Sequence, residues 1–134
     1  MNAKAFLDTN IIVYAFSSND ARRDKAEALL RAGGIISVQV LNEFVNVSRR
    51  KVRRDWEEIQ DALTVLKTLL APAQAVTIET HDTAIGIARK YAFGFYDALI
   101  VAAALRAGCS LLYSEDLHSG HAIERVVIRN PFVD

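Results

Sequence analysis

Short apolar runs alternate along this chain with longer segments of helical period. Ala3–Leu7 is a strand candidate that stops at Asp8, and Asn10–Phe16 reads as a short helix. The polar break Ser17-Ser18-Asn19-Asp20 is suited to cap a helix from Ala21 to Ala32, which Gly33-Gly34 ends. Ile35-Ile36-Ser37-Val38 then predicts a second buried strand. From Val40 onward Leu41, Phe44, Val45 and Val47 recur at helical spacing, with Asn42, Asn46, Arg49 and Arg53 on the outward face. A further helix over Asp55–Leu70 stops before Pro72, Ala75–Ile78 is a third strand candidate, and Thr80 can cap a helix reaching Tyr91. Tyr96–Ala107 is apolar nearly all round, which predicts a central buried helix, closed by Gly108. Ser110–Tyr113 makes a fourth strand and Arg125–Ile128 a fifth at an edge.

Short apolar strands alternating with helices indicate an α/β fold whose mostly parallel sheet is covered on both faces. At 134 residues the chain reads as one domain, residues 1–134, with 51% apolar and 24% charged side chains. The 16 basic and 16 acidic residues cancel, so any polyanion-binding surface has to be local. A single cysteine, Cys109, excludes an internal disulfide and reads as a small buried thiol. No signal peptide is expected, because Asp8 interrupts the first apolar stretch, and the longest apolar run, Ala98–Leu105, is too short to span a membrane. A cytoplasmic protein is the expectation.

Four acids carry the chemistry: Asp8, Glu43, Asp97 and Asp116 each follow or flank an apolar segment. Asp8 closes the first strand and Asp116 lies just beyond the fourth. Glu43 falls at the border of the apolar arc of its helix, and Asp97 opens the buried helix before the fourth strand. In open α/β sheets ligands bind outside the carboxyl ends of the strands, where all four can point into one cleft. Clustered carboxylates raise each other's pKa, and hard oxygen donors without histidine or cysteine suit Mg²⁺ or Mn²⁺. Such an ion can support in-line displacement at a phosphate. Each acid taken alone has a simpler explanation. Asp97 can be a helix N-cap, Asp8 and Asp116 can be turn formers, and Glu43 can pair with Arg50. Their joint placement favours a shared site.

At these residues the chain resembles the PIN-domain nucleases. The blocks Phe6-Leu7-Asp8-Thr9-Asn10, Asn42-Glu43-Phe44, Tyr96-Asp97-Ala98-Leu99 and Ser114-Glu115-Asp116-Leu117 occur in family order, and the likeness runs to Asn130-Pro131-Phe132. Within the family the chain looks most like the VapC-type toxins of bacterial toxin–antitoxin pairs. The resemblance implies a PIN-like three-layer α/β/α sandwich with a mostly parallel four- to five-stranded sheet. It also implies a metal-dependent endoribonuclease in which Asp8, Glu43, Asp97 and Asp116 hold Mg²⁺ or Mn²⁺ and cleave RNA phosphodiesters. Thr9 and Ser114 would supply hydroxyls that orient those carboxylates. Glu115, beside Asp116, is expected to face elsewhere, although it can stand in for its neighbour. Family members usually form homodimers and are inhibited by a cognate antitoxin. All four acidic positions match.

The run Arg49-Arg50-Lys51-Val52-Arg53-Arg54 can hold RNA phosphates or serve as a solvated helix end. His118 and His121 read as loop histidines rather than a zinc site, because no set of four ligands accompanies them. Trp56, Tyr91, Phe93, Phe95 and Tyr96 are expected as core or dimer contacts. Competing readings are a non-catalytic PIN-like interaction module, a housekeeping RNA-processing nuclease, and a haloacid-dehalogenase-type phosphohydrolase. The last is weak, since Asn10 stands where that family needs a second acid.

Overall fold

The computed structural model describes residues 5–117 and 119–133. Its sheet comprises β1 (Phe6–Leu7), β2 (Leu111–Tyr113), β3 (Ala122–Ile123) and β4 (Val126–Arg129), in the order β1-β2-β4-β3. β1, β2 and β4 run parallel, and β3 is antiparallel to β4. The register sets Phe6 beside Leu112 and Leu112 beside Ile128, so fully buried apolar side chains form one row across the sheet. Burial is continuous along β1 but alternates along β4, where Val127 and Arg129 are exposed.

Among the described residues six helices surround the sheet: α1 (Thr9–Ala15), α2 (Arg23–Arg31), α3 (Val38–Arg50), α4 (Trp56–Leu69), α5 (Ile78–Tyr91) and α6 (Phe95–Arg106). α6 is the central helix its composition predicts, with every residue from Ala98 to Leu105 buried. It packs on α5 and on the strands β2 and β4. The mostly parallel sheet with helices about it is the PIN-like α/β/α arrangement expected from the resemblance.

The second and third predicted strands do not form as strands. Ile35 makes one bridge to Phe6, and Ser37 makes one to Gln74. The reason is local. The Ser37 hydroxyl accepts the Val40 N–H and the Thr77 hydroxyl accepts the Thr80 N–H, so helices begin at Val38 and Ile78, inside the apolar runs. Thr77, not Thr80, is therefore the cap of α5, and Thr80 returns the bond as the other half of a capping box. α2 starts at Arg23 rather than Ala21, because the Asp20 carboxylate binds Arg22 instead of capping a helix. The last strand is interior rather than marginal, since β3 adds along its outer edge.

Close approach fixes the segment before α3. The Leu7 N–H donates to Ile35 O and the Ile35 N–H to Ala5 O, each at 2.9 Å. A side chain at Gly34 would come within 2.7 Å of Leu7, so only glycine lets this segment lie against β1. Cys109 is buried, as expected. Of the aromatics expected as core or dimer contacts, Trp56 and Tyr96 are 57% and 64% exposed and so lie outside the core. His118 lies outside the described residues, and His121 is exposed. Among the described residues no helix is long and apolar enough to cross a membrane.

Candidate functional site

The carboxyl ends of β1 and β2 are tied together, and the tie positions the first acid. The Asp8 N–H donates to Tyr113 O at 3.0 Å. Asp8 is 5% exposed and is the N-cap of α1, its Oδ1 accepting the Thr9 N–H at 2.7 Å. Its Oδ2 accepts the Ser114 hydroxyl at 2.7 Å. From the next position the Thr9 hydroxyl donates to Glu43 Oε1 at 2.7 Å, and Gln39 Nε2 donates to Glu43 Oε2 at 3.0 Å. Glu43 thus faces β1 from α3 and does not pair with Arg50. Asp116, in the turn after β2, accepts from Asn10 Nδ2 at 3.1 Å. Asp97 sits in the first turn of α6, whose N-cap is Gly94, so Asp97 is not itself a cap.

The four acids feel one another. Burial pushes the Asp8 carboxyl up to about 6, against the pull of the Ser114 and Thr9 hydrogen bonds, and the charges of Glu43 and Asp97 raise it further. Asp97 is also raised, first by desolvation and then by Glu43 and Asp116. Among the described residues no cation forms an ion pair with any of the four. The partners of Asp8, Glu43 and Asp116 are hydroxyls, amides and a backbone N–H, which orient a carboxylate without cancelling its charge.

Two of the acids, Glu43 and Asp116, line an open cleft of about 420 Å³ together with Thr9, Asn10, Tyr14 and Lys51, while Asp8 and Asp97 are not in its lining. Tyr96 and Asn42 border a neighbouring hollow that shares Glu43. Among the described residues no three acidic, histidine or cysteine side chains are already drawn into a coordination set. The donor chemistry nevertheless fits a hard divalent ion: among the described residues none of the four carboxylates is held in an ion pair, and the cleft lining, where Lys51 is the cation, contributes neither histidine nor cysteine.

The basic run divides in two. Arg49 donates to Arg54 O at 3.1 Å and lies over the Trp56 ring, and Arg54 donates to Phe16 O. Arg50, Lys51 and Arg53 are exposed, and Lys51 alone of the run lines the acid cleft.

Glu115 points away from the four acids. Tyr14 Oη donates to it, and Arg22 Nη1 reaches both of its oxygens at 2.9 Å. Sequence reasoning missed Asn10, Tyr14 and Arg22. Asn10 and Tyr14 do stand four apart on one helix, a spacing that puts them on the same face. Arg22, in an irregular segment, carries no such signal.

The PIN-domain family model matches residues 5–122, and the chain belongs to the PIN-domain family. In structure it is similar to VapC20 of Mycobacterium tuberculosis, a sarcin–ricin-loop-cleaving toxin, with TM-score 0.69 and 22% identity over 84% of this chain and 90% of that one. It is also similar to a toxin–antitoxin complex from Klebsiella pneumoniae (TM-score 0.73, 18% identity, covering 96% and 98%). A third similar structure is DNA-bound VapBC from Salmonella typhimurium (TM-score 0.72, 17% identity, covering 97% and 99%). At these identities the likeness speaks for the fold alone. No curated protein matches the chain in sequence.

Proposed function

We propose that this chain is a divalent-metal-dependent endoribonuclease that hydrolyses RNA phosphodiester bonds, and that it is the toxin of a toxin–antitoxin pair. The observation that supports the reading is the charge coupling of Asp8 to Glu43 and Asp97, and of Asp97 to Glu43 and Asp116, with none of the four in an ion pair among the described residues. Asp8, Glu43, Asp97 and Asp116 would hold the Mg²⁺ or Mn²⁺. Bound there, the ion supplies Lewis acidity for hydrolysis at phosphorus. The chain's own groups do the rest. Ser114 and the Thr9 N–H hold Asp8 in one orientation, and the Thr9 hydroxyl and Gln39 hold Glu43. Lys51, in the same cleft lining, would pair with an RNA phosphate.

The toxin reading draws on the neighbours, one of which is a toxin that cleaves the sarcin–ricin loop while others are toxin–antitoxin complexes. A cognate antitoxin, a homodimer and a cytoplasmic location belong to the same proposal, with exposed Ile78 and Tyr96 supporting a contact between protomers. Incubating RNA with the purified protein in Mn²⁺ or Mg²⁺ tests the chemistry. Cleavage is expected to vanish in EDTA and to fall more than about a hundredfold in Asp97→Asn, which removes a charged ligand at constant volume. Equal cleavage by parent and variant would remove Asp97 from the site. Growth arrest on expression, relieved by a small partner protein, separates a toxin from a housekeeping nuclease.

A further inference from the structure

Glu115 and Asp116 are chain neighbours, yet only one of them joins the acid cleft. A small rotation of the turn would exchange them, so something has to set its orientation. Three groups do so. Arg22 grips Glu115 with Nη1 and binds Asp20 with its other edge, Nε to Oδ1 and Nη2 to Oδ2 each at 2.8 Å. The face of the same guanidinium lies 3.8 Å from the centre of the Tyr14 ring, whose hydroxyl also binds Glu115. Phe132 packs edge-on against that ring, with centroids 5.4 Å apart. Arg22 is therefore fixed on its face and both edges, a geometry that a planar guanidinium can satisfy and an ammonium cannot.

Asn10 acts from the cleft side. Its Oδ1 accepts the Glu115 N–H at 3.3 Å while its Nδ2 donates to Asp116 Oδ2 at 3.1 Å. One amide thus spans the backbone of the first acid and the side chain of the second. The turn's far end is held by the Leu117 N–H, which donates at 3.2 Å to the Ser114 hydroxyl that also binds Asp8.

We infer that Asn10, together with the Tyr14–Arg22 pair, is a positioning device that presents Asp116 to the acid cleft and keeps Glu115 out of it. The inference rests on the proposed metal site for its functional meaning, and on the hydrogen bonds for its geometry. Arg22 has a second effect, because neutralising Glu115 prevents a fifth carboxylate from adding its charge to the four.

The test uses the whole chain and Mn²⁺ alone as the probe, with two readouts: calorimetric affinity for the ion, and hydrogen exchange at the Glu115 amide without metal. Asn10→Ala is expected to weaken Mn²⁺ binding about tenfold, the range typical of groups that orient metal ligands, and to speed exchange at Glu115. In an Asp116→Asn background the same change is expected to cost no further affinity, because the two act through one interaction. A merely structural role would instead give additive losses. Arg22→Gln, which acts from outside the cleft, is expected to shift both readouts in the same direction and guards against misfolding of the first variant. Parental affinity and parental exchange in both variants would overturn the inference. If the parent chain itself bound no Mn²⁺, the metal reading would fall, while amide exchange would still decide whether Asn10 holds the turn.

Discussion

Two groups of carboxylates meet α1 one turn apart, at Asn10 and at Tyr14, and the fold treats them in opposite ways. Beside Tyr14, Asp20 and Glu115 converge on Arg22, which holds the Asp20 carboxyl down to about 2 through its hydrogen bonds. Nearer the start of α1, Asp8, Glu43 and Asp116 receive hydroxyls, amides and a backbone N–H, and among the described residues neither they nor Asp97 form an ion pair with a guanidinium or ammonium. The first group is ion-paired, its two carboxylates sharing one guanidinium. The second is oriented but left charged, and that is the expected condition of a site completed by an external cation.

The largest effect that would break this contrast concerns pH. In chelator, the folded chain binds the Asp8 proton more tightly than the unfolded chain does, because the folded value is about 6 against an ordinary 3.8. The stability contributed by Asp8 is therefore full below about pH 4, declines as pH rises, and is lost above about pH 6. A shift of this size corresponds to at most about 3 kcal/mol. Denaturant melts of parent and Asp8→Asn at several pH values are expected to show a decline in the parent that the variant lacks. Asparagine serves as an N-cap as well as aspartate does, so the helix start survives the change. A parallel decline in both proteins would mean that Asp8 does not carry the strain.

The paired group should respond with the opposite sign. Arg22→Gln leaves Glu115 and Asp20 without their cation and is expected to lower stability modestly near neutral pH, because these groups are partly solvated. Chemical denaturation would measure it. A stabilised Arg22→Gln would erase the distinction between the two groups. Smaller still is the effect of Lys51→Ala, which is expected to weaken RNA binding a few-fold and to lower the salt dependence by about one phosphate contact. Filter binding across a salt series reads this directly, and an unchanged slope would exclude Lys51 from the RNA path.

Much of the site was legible in the sequence because its acids flank strongly apolar elements. α6 announced itself by burial all round, which placed Asp97 near the sheet, and β1 and β2 placed Asp8 and Asp116 at their ends. The spacing within α3 put Glu43 at the border of the apolar arc, and its bonds to Thr9 and Gln39 lie on that side. What was not legible depended on capping and on long-range pairing. Ile35–Val38 and Ala75–Ile78 carry apolar residues fit for strands, but Ser37 and Thr77 start helices there and leave single bridges. Arg22 falls at the start of the helix predicted over Ala21–Ala32 with no spacing that singles it out, and its partner Glu115 lies 93 positions away, so no local pattern reveals the clamp.

The central claim is that the four-acid cleft takes up a divalent cation, and a calorimetric titration of the metal-free protein with Mn²⁺ tests it most directly. Saturable binding by the parent, lost in Asp8→Asn and retained in Lys51→Ala, is the expected result. Absence of saturable binding in the parent, or equal binding in Asp8→Asn, would contradict it.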